Sequence, residues 1–338
     1  MPTRPPGRGP ARIVDVAALA GVSAQTVSNV MNGRSGYTPE TGDRVLKAVA
    51  ALGYAPNTAA RHLRTRRARR VGYSLTGDNL DFRNPFAMTF LRSVIAAAAG
   101  VEFRVVVLIH PDEHDGAFAS DVAASEVDGF ILANCTPDDY RVKILSEKRI
   151  PFAVMGRTAP NQPQAWADID NVAAISSAVD YLVSRGHSTF GYVGYSGDEY
   201  WTVQRFAGAR DRLAEHGLEL PSGAVVTGSI DTVHAGIRAL LNDTQRPEAI
   251  ITGSDMMGVI VENIAQAEGI VVGTELALTG FDGGILDHTV VPALTSVRIP
   301  VAKIARAVVD RFMHEMDNGP TGEPGRVFDT ELVFGGTA

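Results

Sequence analysis

The chain has 338 residues, 45% of them apolar, a net charge of −7 and one cysteine. At about 150 residues per domain, that length predicts two or three domains. The lone Cys135 excludes an intrachain disulfide framework and suits a reducing compartment. No run approaches the ~18 apolar residues of a membrane span, and the basic opening MPTRPPGRGPAR lacks the apolar core of a secretory signal, so residues 1–11 read as a disordered arm.

Charge is unevenly placed. Residues 1–70 hold twelve Lys/Arg against three Asp/Glu, a net of +9, which leaves −16 on the rest. A small basic head on an acidic body points to a head that meets a polyanion and a body that does not.

The head reads as three short helices. Ile13, Val16, Ala17 and Ala20 fall on one helical stripe, and Gly21 offers a left-handed stop. Ser23 is a good N-cap for a second helix that turns Val27, Val30 and Met31 inward. Thr38, Pro39 and Glu40 start a third, which is expected to bury Val45, Leu46, Val49 and Leu52 and to stop at Gly53. A tight Gly-containing turn between the first two makes a helix-turn-helix unit.

The second helix shows Ala24, Gln25, Ser28 and Asn29 on its outer face, without the Glu and Lys of an ordinary solvated surface. In such a unit this helix enters the major groove. Gln25 offers a paired donor and acceptor suited to adenine, and small side chains at Ala24 and Ser28 admit a close backbone approach. Ser23 and Asn32 can donate to phosphates.

The next stretch, PNTAARHLRTRRARR at 56–70, is short, strongly basic and weakly apolar. A helix over 57–64 would have about two turns, which is marginal alone in water. It is expected to fray in the free protein and to form where phosphates neutralise Arg61 and Arg64.

Beyond residue 70, short apolar strands alternate with amphipathic helices. Strands are predicted at RVGYSL, FRVVVLI, GFILAN, PFAVMG, TFGYVG, AVVTG, AIITG and LALTGF, and helices near 86–99, 172–185, 201–216, 232–242 and 256–268. That alternation implies parallel sheets covered on both faces, and the strand count fits two α/β lobes better than one sheet. Ligands in such folds sit at the carboxyl ends of the strands.

Enzymatic patterns are poorly formed. HPDEH at 110–114 fits a zinc spacing only formally, because Pro111 follows a β run where a helix is needed. GYSGD at 194–198 lacks the second Gly of a nucleophile elbow, no phosphate-binding glycine loop occurs, and His187 in RGHSTF reads as a turn residue. No cofactor or metal is expected.

IVDVAALAGVSAQTVSNVMNG followed by TPETGDRVLKAVAALGYAPNTAARHLRTRR resembles the DNA-binding head of the LacI/GalR family of bacterial regulators. NPF at 84–86, EVDGFIL at 126–132, RGHSTFGYVG at 185–194, RFAGARDRL at 205–213, GSDMMGVI at 253–260, LTGFDGG at 278–284 and PALTSVRIP at 292–300 match successive blocks of its effector core, related to periplasmic sugar-binding proteins. The resemblance implies a small all-α helix-turn-helix head on an α/β core of two parallel-sheet lobes. It divides the chain into the arm at 1–11, a head at 12–55, a hinge helix and linker at 56–70, and an effector-binding and dimerisation core at 71–336. The lobes would be about 71–168 with 299–322, and 169–298 with 323–336.

By the same resemblance, Ala24, Gln25 and Asn29 read bases, and Thr26 belongs with Ser23, Ser28 and Asn32 among the DNA contacts. Asn57, Ala60 and Leu63, with Arg61, match the hinge helix whose leucine wedges into the minor groove. Arg12 stands where the family usually has Thr, giving a phosphate contact but a poorer cap. Asn84, Phe86, Trp201, Arg205, Ser254 and Asp282 would line the effector cleft, with Phe86 fitting core or cleft and Asp255 a helix cap.

The implied function is a cytoplasmic, DNA-bound transcription regulator, most simply a repressor, whose hold on a pseudo-palindromic double-stranded operator is set by a small effector, by family a carbohydrate. Without a heptad segment after Phe334, a homodimer is expected. A carbohydrate-binding receptor is the alternative for the body, and the head and hinge argue against it.

Overall fold

A computed structural model describes residues 11–31, 35–54, 67–76, 84–110, 115–124, 126–159, 164–283, 291–319 and 325–338. It divides into a head, residues 1–68, and a body, residues 69–338.

The head contains α1 (Ile13–Ala20), α2 (Ala24–Met31) and α3 (Pro39–Leu52). Val16, Val27 and Val45 are fully buried at their meeting point, with Ala17, Ala20, Val30 and Ala48 around them. Gly21 ends α1 at φ 66°, a left-handed geometry that glycine adopts without steric cost. The guanidinium of Arg12 has no acceptor to offer as a cap, and the α1 N-terminus is closed from the other side: the Arg12 backbone N–H donates to Asp15 Oδ2 at 2.8 Å. Thr38 caps α3 as expected, accepting from the Thr41 N–H at 3.4 Å. Leu46 departs from expectation: it is 53% exposed, and Ala48 takes the core position. With Val45 fixed inward, the inward stripe runs through Gly42, Val45 and Ala48 at three-residue steps, which turns Leu46 a full 100° away.

The body holds two six-stranded sheets. The first uses β1 (Arg70–Thr76), β2 (Arg104–His110), β3 (Phe130–Leu132), β4 (Phe152–Met155), β5 (Ala165–Ile169) and β11 (Arg326–Phe328), in the order β11-β5-β4-β3-β1-β2, all parallel. The second uses β6 (Phe190–Gly194), β7 (Val225–Thr227), β8 (Ala249–Thr252), β9 (Ala277–Asp282), β10 (Thr295–Arg298) and β12 (Glu331–Val333), in the order β12-β10-β9-β8-β6-β7, parallel except for the edge strand β12.

Helices α4 (Pro85–Gly100), α5 (Asp115–Ala124) and α6 (Tyr140–Glu147) belong to the first lobe, and α7 (Asn171–Ser184), α8 (Tyr200–Glu215), α9 (Val233–Leu241) and α10 (Asp255–Ala267) to the second. The long α11 (Val301–Asn318) returns to the first lobe, packing on α4, β4 and β5 through Ile304, Ala305, Val308, Val309 and Phe312. The chain therefore changes lobe three times, at residues 169–171, 298–301 and 328–331.

The third change corrects the expected division. The resemblance puts residues 323–336 in the second lobe, yet Arg326, Val327 and Phe328 pair in parallel with Ala167, Asp168 and Ile169 of β5. Only the segment from β12 onward belongs to the second sheet. A strand that leaves α11 on the first lobe finds the open edge of β5 before it reaches the other sheet.

Candidate functional site

On the head, Ser23 caps α2, its Oγ accepting from the Thr26 N–H at 3.0 Å and lying 2.9 Å from Thr26 Oγ1. Thr26 is thus half-buried and engaged at the cap, and Ala24 is half-buried against the head core. Gln25 Nε2 donates to Asn29 Oδ1 at 3.0 Å one turn on. This pair aligns two amides along one exposed row, leaving the Gln25 carbonyl and the Asn29 amino group for base edges. Asn32, Asn57, Ala60, Arg61 and Leu63 lie outside the described residues, as does the stretch 77–83 before Asn84.

On the body, the carboxyl ends of the strands of both lobes flank a cleft. Asn84, Phe86, Trp201, Arg205, Ser254 and Asp282 all line it. Sheet topology explains the meeting point. In each lobe the strand order reverses beside the first strand, β1 or β6, so the connections after neighbouring strands splay apart and open a crevice there.

Arg205 is the centre of this cleft. It is 5% exposed, and burial lowers its hold on its proton, against which Asp282, Tyr192 and Asp168 pull the other way. Its Nε donates to Asn171 Oδ1 at 2.9 Å, and its Nη1 donates to the Gly253 carbonyl at 2.7 Å and to Asp282 Oδ1 at 3.3 Å. The guanidinium is clasped between the Phe281 ring, 3.7 Å from its centroid, and the Trp201 ring at 4.6 Å. The fork is therefore fixed before any ligand arrives. Trp201 and Tyr195 meet at an interplanar angle of 74°, centroids 6.0 Å apart, and the buried Trp201 Nε1–H has no protein acceptor among the described residues.

Two predicted cleft residues also shape helix starts. Asn84 caps α4, its Oδ1 accepting from the N–H groups of Phe86 at 3.0 Å and Ala87 at 3.4 Å. Its Nδ2 hydrogens are what it can offer a ligand. Ser254 caps α10, accepting from the Met257 N–H at 3.2 Å. This corrects the reading of Asp255 as the cap: it is the first helical residue, buried, and its Oδ1 accepts from Ser296 Oγ at 2.5 Å. Phe86 packs against the large core from a half-buried position and also faces the cleft, so it serves both.

Sequence reasoning missed Asn134, Asp168 and Asn171, which line the same cleft. Asp168 Oδ2 accepts from Arg157 Nε at 3.0 Å and Oδ1 accepts from the Ile169 N–H at 2.8 Å. Burial raises the Asp168 pKa, opposed by the Arg157 hydrogen bond and charge. The signal was present as DIDN at 168–171, three polar residues spanning the end of β5 and the start of α7. The discarded motifs fall elsewhere: His110 ends β2 with its Nε2 2.8 Å from Asp121 Oδ2, and His187 sits in the turn after α7.

Residues 12–57 match the family described as bacterial regulatory proteins, lacI family, and residues 179–338 match a periplasmic binding protein-like domain. Over 330 residues the chain is 32% identical to the HTH-type transcriptional regulator CelR of Thermobifida fusca, covering 94% of this chain and 95% of that one. Among solved structures, a transcriptional regulator CelR–cellobiose complex superposes with a TM-score of 0.75 at 27% identity, covering 97% of this chain and all of that one. A lac repressor dimer bound to operator and an anti-inducer shares the fold, with a TM-score of 0.81 at 20% identity over 97% of this chain and 99% of that one.

Proposed function

The chain belongs to the lacI family of bacterial regulatory proteins and is a DNA-binding transcriptional regulator with effector-controlled activity, and from that premise we propose that it is a repressor released from its operator by a carbohydrate. The observation that carries the carbohydrate reading is the preset Arg205 fork, buried between two aromatic rings beside Asp282. A guanidinium with spare donors, a carboxylate and flat apolar faces match the paired hydroxyls and C–H faces of a sugar ring. The structurally similar regulator solved as a complex with cellobiose bears on the same point.

The DNA-binding set comprises the α2 face at Ser23, Ala24, Gln25, Thr26, Ser28 and Asn29, then Asn32 and the hinge residues Asn57, Ala60, Arg61 and Leu63. One such head covers only a few base pairs, so useful affinity requires two heads on a two-fold site. The protein therefore acts as a homodimer, in the bacterial cytoplasm where its operator lies. The body offers apolar surface for pairing: the edge strand β2 exposes Val107 and Ile109, and α4 exposes Ile95. Effector binding shifts the lobe arrangement and is passed to the head through the 56–70 linker, for which a coupling of about 1–3 kcal/mol gives 5- to 150-fold control.

Footprinting on genomic fragments, followed by fluorescence anisotropy with a panel of sugars, tests this reading. Half-sites centred ~10 bp apart and a neutral saccharide that weakens operator binding are the expected results. A single asymmetric half-site, or release by an amino acid or nucleoside and by no sugar, would defeat it.

A further inference from the structure

We infer that Asn134 is a ligand-contacting residue of the cleft and that the buried Asp139–Arg141 pair is the device that positions it. The inference rests on the reading of the cleft as the effector site.

Asn134 follows β3, lines the cleft, and has φ 50°, in the left-handed region that few residues other than glycine enter. Behind it lies Arg141, 1% exposed, on the first turn of α6 and outside the cleft lining. Its Nη2 donates to the carbonyls of both Ala133 and Asn134 at 3.3 Å, and its Nη1 donates to the Ser74 carbonyl at 3.4 Å. Asp139 holds the other edge of the fork, accepting from Nε at 2.9 Å and from Nη2 at 2.6 Å, while also capping α6 through the Arg141 N–H at 2.9 Å.

Two consecutive carbonyls turned toward one donor require the chain to curl between them, and the left-handed Asn134 is that curl. The same guanidinium reaches β1 and the turn after β3, the two strands beside which the first lobe opens its crevice. A buried ion pair is a poor way to gain stability, since apolar packing of equal volume does as well or better. It is an effective way to fix carbonyls in one geometry, because no apolar side chain can satisfy them. Arg141 thus acts on the ligand only through Asn134.

The test is a double-mutant cycle on the full chain, read by calorimetry with cellobiose, beside crystal structures of the ligand-free variants. Arg205→Ala, measured first, reports whether the cleft is the sugar site at all. Arg141→Met should weaken cellobiose binding about tenfold in the wild-type background and have no further effect on Asn134→Ala, a coupling of about 1.4 kcal/mol. Asp139→Asn, which spares the charge of Arg141, serves where Arg141→Met folds poorly and should give the same pattern at smaller size. Equal losses in both backgrounds would overturn the proposal. The ligand-free structures decide it even if cellobiose fails to bind: Asn134 should leave the left-handed region in Arg141→Met or Asp139→Asn, and its persistence near φ 50° in both would overturn the positioning role.

Discussion

Replacing Arg205 by alanine separates ligand recognition from DNA recognition, and the structure sets the size of the effect. Nε and Nη1 are consumed by Asn171, Gly253 and Asp282. Nη2 therefore carries the two hydrogens left for sugar hydroxyls. A hydrogen bond to a charged group contributes about 1.5–3 kcal/mol, so losing two costs about 3–6 kcal/mol, or two to four decades in Kd. Removing the guanidinium also takes one cation away from Asp282 inside a buried site, and breaking a buried pair destabilises by up to about 3–5 kcal/mol. The second lobe should unfold at visibly lower urea concentration. Operator affinity without effector should stay within a few fold, because the side chains proposed to read the groove belong to the head. Calorimetry with sugar, anisotropy with operator DNA and urea melts on the same preparation distinguish these terms. If the variant bound sugar as tightly as wild type while its urea midpoint fell, Arg205 would be a strut joining β8, β9 and α7, and its role as ligand fork would be wrong.

Gln25→Ala should cost about 1–3 kcal/mol on the preferred operator and relax the choice at one base pair, read by anisotropy on single-base operator variants; an equal loss on random DNA would reduce Gln25 to a backbone contact. In the head, Val45→Ala should lower stability by about 2 kcal/mol, since Val45 is fully buried, while Leu46→Ala should change it by less than ~0.5 kcal/mol, both seen in thermal melts of the head signal. Burial alone would raise the Asp139 pKa, but the Arg141 hydrogen bonds and charge outweigh it and hold the carboxyl below its ordinary value. Its contribution to stability is therefore complete above the unfolded carboxylate pKa and lost as pH falls through the lower folded one, so Asp139→Asn should flatten the acid limb of the stability–pH curve and leave its alkaline side unchanged in shape.

What the sequence made legible follows from where periodicity is strong. The head was readable because caps and stripes coincide: Ser23, Gly21 and Thr38 mark the ends while Val16, Val27 and Val45 mark the interior. Leu46 was misplaced because two adjacent apolar residues cannot both face one core, and period alone does not say which will. Strands β1–β4 and β6–β9 were legible as apolar runs, whereas β10, with Thr, Ser and Arg among its four residues, was not. β5, with Trp and Asp among its five residues, and the three-residue β11 and β12 offered neither a run nor an alternation. The lobe of β11 was misjudged for a related reason: which sheet edge captures three residues depends on the open edge of β5, a tertiary fact. In the cleft, side chains that follow apolar strands in motif blocks were found, whereas Asn134 in the turn after β3, Asp168 near the end of β5 and Asn171 at the start of α7 take on meaning only when the two lobes are folded together.

The charges of the cleft decide what kind of polar ligand it accepts. Asp282 offsets Arg205, and Asp168 is backed by Arg157, whose guanidinium also donates to the Ile169 carbonyl at 3.2 Å. Asn171 links the two pairs, accepting from Arg205 and lying 3.5 Å from Asp168 Oδ1. The four ionised groups thus sum to zero, and each already has its counter-charge. A ligand anion would gain Arg205 only by meeting Asp282 and Asp168 in the same buried space, where an uncompensated charge costs several kcal/mol. A neutral polyol replaces the hydrogen bonds of displaced water and adds no charge. Neutral saccharides should therefore bind, while the corresponding sugar phosphates and uronic acids should bind at least ~100-fold more weakly, measured by calorimetry at matched ionic strength. The Asp282→Asn variant, which leaves the cleft one positive charge in excess, should narrow that gap. Tight binding of a sugar phosphate to the wild-type chain would show that Arg205 is available as an unbalanced cation, and the neutral-ligand argument would fall.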